Sequence, residues 1–425
     1  MVTWIKDPAV VWTGNKGQAS RGVLVSGGRI LELVDEFPRV EYEEVFDASG
    51  LVLIPGLINC HHHFYQTLTR ALPAALNKEL FPWLASLYPV WSKLTEESVR
   101  ASTRTAVCEL LLSGCTTTVD HHYVFSKALS RAIDVQAEEI KSLGIRAILT
   151  RGSMSLSEEN GGLPPSNVVQ TEDVILKDSE RLIDQWHDRS EGAMLQIALA
   201  PCSPFSVTEE LMSASAQLAR EKKVLLHTHL AETSDENSFC ENLYGCRPLD
   251  YLEKVGWLSS YVWLAHGIHF SSEEIQRLGQ SKTGICHCPS SNMTLASGFC
   301  PVEELRAAGA PVGLGVDGSS SNDSSNLMQE LRQAYLLQRL SRGAEQFSHI
   351  DALELATTEG ARLLNRDDIG EIREGACADL ALFSTDELRF AGAHDPLAAL
   401  VLSGAHRAEA VMVDGEWKVR NGELL

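Results

Sequence analysis

The sequence predicts an α/β protein, a TIM-type (β/α)8 barrel carrying a small β-sandwich domain formed from both termini. Three observations predict it. The middle of the chain alternates short apolar segments with longer helical stretches, the mark of parallel βα units. Eight such segments occur, enough to close a barrel. Each end of the chain reads instead as short strands and turns, too little to bury a core alone. The ends should therefore fold together, residues 1–55 with 371–425, beside a barrel of residues 56–370.

At the amino end, Val10–Trp12, Gly22–Ser26, Arg29–Val34 and Glu44–Asp47 read as strands, with Gly27-Gly28 as a turn. The expected barrel strands are Leu57–His61, Thr116–Asp120, Arg146–Thr150, Leu195–Ala200, Val224–His229, Val262–His266, Gly284–His287 and Val312–Asp317. At the carboxyl end come Asp379–Phe383, Glu409–Val413 and Trp417–Arg420, and Asp414-Gly415 between the last two is a hairpin signal.

Composition excludes several classes of function. Of 425 residues, 36 are basic and 57 acidic, a formal net charge of −21. Such a surface is not built to neutralise phosphates or anionic lipid, so neither nucleic acid nor a membrane is an expected partner. Hydrophobic residues at 44% and charged residues at 22% fit a globular chain rather than a disordered one. Ten cysteines without a paired CxxC framework, no signal-like amino terminus and no long apolar run point to the cytoplasm.

In a barrel the active site lies where the strands end, and there the polar residues gather. Strand one runs into His61-His62-His63, strand two into Asp120-His121-His122, strand five into His227-Thr228-His229 with Glu232 beyond, strand six into His266 and strand eight into Asp317. Strand geometry sends residues i and i+2 to one face, so His61 and His63 form a two-nitrogen clamp and His62 points away. His229 and Asp317 complete a three-His, one-Asp set that suits one divalent metal, Zn²⁺, and also tolerates Fe²⁺. His227 shares the face of His229 but lies deeper and is expected behind it. His121 and His122 have at most a supporting role, with packing the simpler expectation.

This arrangement resembles the amidohydrolase superfamily over nearly the whole chain, from Ile54-Pro55-Gly56-Leu57-Ile58-Asn59 onward. Members with two metals usually bridge them with a Lys or Glu at the end of strand four. Here that strand ends Leu199-Ala200-Pro201-Cys202-Ser203-Pro204, so one metal is expected, as in members that deaminate nitrogen heterocycles. A metal in such a site lowers the pKa of water toward ~7. The protein must still move protons: Asp317 accepts the first, His266 aligns the attacking hydroxide, and Glu232 carries a proton to the ring nitrogen.

Between residues 64 and 91, Phe64, Tyr65, Phe81, Trp83, Tyr88 and Trp91 cluster, and Pro73, Pro82 and Pro89 are expected to interrupt any continuous helix. An aromatic loop of this kind can cover a planar ring or form a subunit interface. On the second ground a homo-oligomer is expected. Gln66 offers an amide donor and acceptor for a ring nitrogen and its substituent.

More specific similarity lies in His61-His62-His63-Phe64-Tyr65-Gln66-Thr67-Leu68-Thr69-Arg70, Arg151-Gly152-Ser153-Met154-Ser155-Leu156, Gly161-Gly162-Leu163-Pro164-Pro165 and Gly315-Val316-Asp317-Gly318-Ser319-Ser320-Ser321-Asn322-Asp323. These resemble the 8-oxoguanine deaminases, and the resemblance implies hydrolysis of 8-oxoguanine to urate and ammonia. It implies His61, His63, His229 and Asp317 as metal ligands, Glu232 and His266 as proton carriers, and Gln66 as a substrate contact, with Arg151 and Cys202 as further pocket residues. Cys60 stands where that group is expected to have Thr. Hydroxy-s-triazine, guanine and isoxanthopterin aminohydrolases are the alternatives, and a non-catalytic assembly protein of the same fold is disfavoured because the whole ligand set is present.

Overall fold

A computed structural model describes residues 1–425. Two sheets are assembled at the chain ends. One orders Arg29–Leu33, Gly22–Ser26, Thr3–Lys6 and Glu44–Asp47. The other orders Glu423–Leu424, Glu416–Arg420, Ala410–Val413, Leu380–Ser384, Leu51–Pro55 and Val10–Val11, so that it interleaves both termini. Strand alternation explains how they stack. Leu51, Leu53, Leu380 and Leu382 pack with Ile5, Val23 and Ile30 between the sheets. Val52, Ile54, Ala381 and Phe383 face the other way, into the large cluster shared with the barrel helices. A sheet buried on both faces reads as an unbroken apolar run, as Leu51-Val52-Leu53-Ile54 does.

The eight barrel strands are Leu57–Asn59, Cys115–His122, Arg146–Ser153, Leu195–Pro201, Leu226–Leu230, Val262–His266, Gly284–His287 and Val312–Leu314. Each pairs in parallel with the next. Cys60 N donates to Leu314 O at 2.8 Å and closes the ring between strands one and eight. Ile58, Val119, Ile148, Ala198, Trp263 and Cys286 fill its interior. Strands one and eight are shorter than the sequence suggests because their functional residues lie past the ladder: His61 and His63 follow a strand that stops at Asn59, and Asp317 one that stops at Leu314.

The aromatic segment is broken as expected at Pro73, which opens a short turn of its own, but not at Pro82 or Pro89. Leu80–Trp91 is one helix. Pro82 sits in its first turn, where no N–H is required, and Pro89 in its last turn. No helix is long and apolar enough to cross a membrane.

Candidate metal centre

Three imidazoles and one carboxylate converge at the mouth of the barrel. His63 Nε2 lies 3.2 Å from His229 Nε2 and 3.3 Å from Asp317 Oδ1, and His61 Nε2 lies 3.2 Å from the same oxygen. All four side chains are buried.

Hydrogen bonding fixes which nitrogen each ring presents. His63 Nδ1 donates to His121 O at 2.6 Å, and His229 Nδ1 donates to Cys202 O at 2.7 Å. A carbonyl only accepts, so each ring carries its proton on Nδ1 and leaves a lone pair on Nε2. His61 reaches the same state through a relay. His227 Nδ1 donates to Trp263 O at 2.9 Å, which makes His227 Nε2 an acceptor for the Nδ1–H of His61, 2.7 Å away. The remaining atom, His61 Nε2, is buried with no hydrogen-bond partner. Three aligned lone pairs, one of them orphaned, around a carboxylate fit the ligand set of a divalent cation.

Electrostatics agree with this assignment. Burial holds the rings of His61 and His229 well below the usual imidazole range, so both are neutral. Burial would raise the Asp317 carboxyl, but the imidazoles of His61 and His63 beside it hold it well below the usual carboxylate range. Burial first, and the charge of Asp317 second, push Glu232 well above its ordinary value. A buried acid and an ionised one therefore stand side by side, a division of labour suited to proton transfer. His266 Nε2 lies between them, 3.5 Å from Glu232 Oε2 and 3.9 Å from Asp317 Oδ2.

Backbone conformation contributes to this aim. Ala231, His266 and Asp317 have φ of 54°, 73° and 60°, a left-handed conformation that is costly away from Gly and clusters at functional sites. Glu236 caps the turn below Glu232 by accepting from its N–H at 3.0 Å, and burial lifts the Glu236 carboxyl to about 8.

Above the cluster lies a small cavity walled by Gln66, Leu80, Trp83, Leu84, Tyr123, Cys202, Phe205, Leu295 and Ser321. Gln66 lines it, and its Oε1 lies 3.4 Å from Ser320 N. A Cβ on Gly318 would stand 1.9 Å from that oxygen, so a larger residue there would displace the Gln66 amide. Cys202 lines the wall, and burial pushes its thiol up to about 12, so it remains protonated.

Arg151 does not reach the cavity, contrary to expectation. Ile148 faces the barrel interior, so an odd-numbered neighbour on strand three faces the helices. Arg151 there donates to Asp178 Oδ2 at 2.6 Å and Gln170 Oε1 at 2.8 Å, with its guanidinium 3.7 Å from the centre of the Phe125 ring.

The expectation for His121 and His122 divides. His122 faces outward and donates to Val124 O. His121 faces inward, stacks on His229 with ring centres 4.8 Å apart, and has a nitrogen within 4.8 Å of those of His61, His63 and His229. The aromatic segment resolves as a cover for the site: Leu80, Trp83 and Leu84 line the cavity, while Tyr65, Tyr88 and Trp91 are buried behind them in the same chain. Sequence reasoning missed Tyr123, Phe205, Leu295 and Ser321 in the wall. Only Tyr123, two residues beyond His121 on the inward parity, carried a usable signal.

A match to the amidohydrolase family spans residues 52–418. The chain belongs to the amidohydrolase family. Within that family it is 59% identical to an 8-oxoguanine deaminase of Pseudomonas aeruginosa, covering 99% of this chain and 94% of the other. It is 36% identical to a hydroxydechloroatrazine ethylaminohydrolase of a Pseudomonas strain, covering 95% and 87%. Among solved structures, a zinc-complexed atrazine chlorohydrolase from Arthrobacter aurescens superposes with a TM-score of 0.94 at 31% identity, covering 100% of this chain and 96% of the other.

Proposed function

We propose that this amidohydrolase hydrolyses free 8-oxoguanine to urate and ammonia at one zinc ion held by His61, His63, His229 and Asp317. The observation that carries the substrate is the 59% identity, over 99% of the chain, to an 8-oxoguanine deaminase, together with the convergence of His61, His63, His229 and Asp317 at the barrel mouth. The metal, when bound, supplies hydroxide at neutral pH by lowering the pKa of water.

The protein's own groups do the rest. Leu80, Trp83, Leu84, Phe205 and Leu295 present an apolar slot for a flat ring and exclude water around it. Gln66 turns its amide oxygen toward Ser320 N and so offers its NH₂ group to an acceptor on the ring. Asp317 has Oδ1 among the imidazoles and Oδ2 toward His266, which leaves Oδ2 placed to take the proton released as water attacks the amino-bearing carbon. Glu232, protonated by its burial, delivers a proton to the ring nitrogen; the proton held by Asp317 then passes to the amino group, which departs as ammonia, while Glu232 takes up the hydroxyl proton as the carbonyl forms. The net charge of −21 favours the free base over the same base within DNA or RNA. All ten cysteines are free, which supports a reducing, cytoplasmic setting.

A hydroxy-s-triazine is the second reading, favoured by the relative at 36% identity and the zinc-complexed neighbour. Ammonia release from 8-oxoguanine, guanine, isoxanthopterin, adenosine and a hydroxy-s-triazine separates them. The expected result is the highest kcat/KM on 8-oxoguanine. A large preference for the triazine would overturn the substrate and leave the centre intact.

A further inference from the structure

The ends of strands one, five, six and eight supply every group given a metal-binding or proton-handling role above, and the segment after strand seven supplies only Leu295 to the cavity wall. That segment is nevertheless tied to two of those groups. Pro289–Thr294 forms a short helix, and its Ser291 and Asn292 are fully buried. Ser291 Oγ donates to Ser321 Oγ at 2.8 Å, which in turn donates to Asp317 Oδ2 at 3.4 Å. Asn292 Oδ1 accepts from His266 Nδ1 at 2.9 Å. Ser290 N donates to Glu330 Oε2 at 3.2 Å and pins the helix to the one that follows strand eight.

His266 needs a tether. On strand six, Trp263 packs in the barrel interior while Val262 and Leu264 pack in the cluster shared with the helices. Alternation would therefore send residue 266 outward. Its left-handed backbone, with φ of 73°, turns the ring back toward the mouth. A residue in that conformation is held by its surroundings rather than by its own preference, and the hydrogen bond that His266 donates to Asn292 helps fix the ring.

We propose that Asn292 is a positioning residue for the reaction: its amide oxygen keeps the proton of His266 on Nδ1, so that the ring exchanges protons only through Nε2. That nitrogen faces Glu232 Oε2 at 3.5 Å and Asp317 Oδ2 at 3.9 Å. An amide oxygen suits the task because it accepts a hydrogen bond without taking the proton. The inference rests on the proposed hydrolysis, with His266 aligning the attacking water as the sequence suggests.

Two substitutions and one spectrum test it on the zinc-loaded enzyme. Asn292→Leu keeps the size of the side chain and removes the acceptor, and Asn292→Asp keeps an acceptor. Asn292→Leu should retain one zinc and its Tm while kcat falls about 10- to 100-fold and KM changes less than about threefold. Asn292→Asp should recover much of that loss. In substrate-free enzyme the ¹⁵N spectrum of His266, assigned with a His266 variant, should show a protonated Nδ1. Turnover by Asn292→Leu within about twofold of the parent, no advantage of Asp over Leu, or an unprotonated Nδ1 would each overturn the proposal. If Asn292→Leu does not fold, Asn292→Asp and the spectrum still decide. A parent enzyme inactive on every ring tested would defeat the proposed function instead, and the His266 spectrum would remain readable.

Discussion

The two ends of the barrel both bury charged and polar side chains, and they treat them in opposite ways. At the floor, Arg146 of strand three donates to both oxygens of Asp379, at 2.9 and 3.0 Å, and to the carbonyls of Gly192 and Ala193. Asp379 also accepts from Asp414 N at 2.8 Å. Both partners are almost fully buried, and the pair joins the barrel to the terminal sheet. At the mouth, hydrogen bonds hold the far side of each ring, and the near nitrogens of His61, His63 and His229 point at one another around Asp317. The lesson is in the remainder. Where every donor and acceptor is matched, burial of charge makes a joint; where matched bonds aim unmatched lone pairs at one point, burial makes a ligand site.

The comparison breaks most readily at the mouth. Glu232→Gln should lower kcat by at least about 10³-fold, within the span of general acid–base catalysis, while zinc content by elemental analysis stays at one. Asp317→Asn should impair both turnover and zinc retention, because its Oδ1 stands among the ligand nitrogens. Full activity in either variant would show that the proton path is misassigned.

At the floor the expected effect is on stability alone. Asp379→Asn leaves Arg146 charged and buried, which should cost about 3–5 kcal/mol in denaturant unfolding. The zinc affinity of the folded fraction should not change. A variant as stable as the parent would mean that the joint is dispensable.

A finer effect separates positioning from ligation. His227→Leu removes the acceptor for the Nδ1–H of His61 and should weaken zinc binding about 10- to 100-fold in chelator competition. His227→Gln, which can accept, should weaken it less.

The smallest effect concerns Glu330, whose carboxyl burial lifts to about 8 from an ordinary 4.5. Between those values the folded chain keeps a proton that the unfolded chain has released, so stability falls as pH rises through that window. Glu330→Gln cannot ionise and should flatten the decline in Tm between pH 5 and 8. An unchanged slope would place the pH sensitivity elsewhere.

Much of this was legible in the sequence because burial writes itself as pattern. Apolar runs such as Val262-Trp263-Leu264-Ala265 and Leu195-Gln196-Ile197-Ala198-Leu199-Ala200 mark barrel strands, and His or Asp at their ends marks the mouth. Strand ends were less legible, since His61, His63 and Asp317 lie beyond the hydrogen-bonded ladder they seem to continue. Arg151 was misplaced by one step of parity, which puts a strand residue on the opposite face. The relay through His227 and the tether from Asn292 join residues far apart in the chain. No spacing rule announces such pairs, and only the closed barrel brings them together. The aromatic segment announced itself, but whether it covered the site or a partner depended on where helix Leu80–Trp91 docks.

The most direct test of the metal centre is a titration of zinc into metal-free enzyme, followed by both binding and urate formation from 8-oxoguanine. Activity should rise in step with bound zinc and reach its plateau at one equivalent. A plateau at two equivalents, or a chain that binds no stoichiometric divalent metal, would contradict a single centre built from His61, His63, His229 and Asp317.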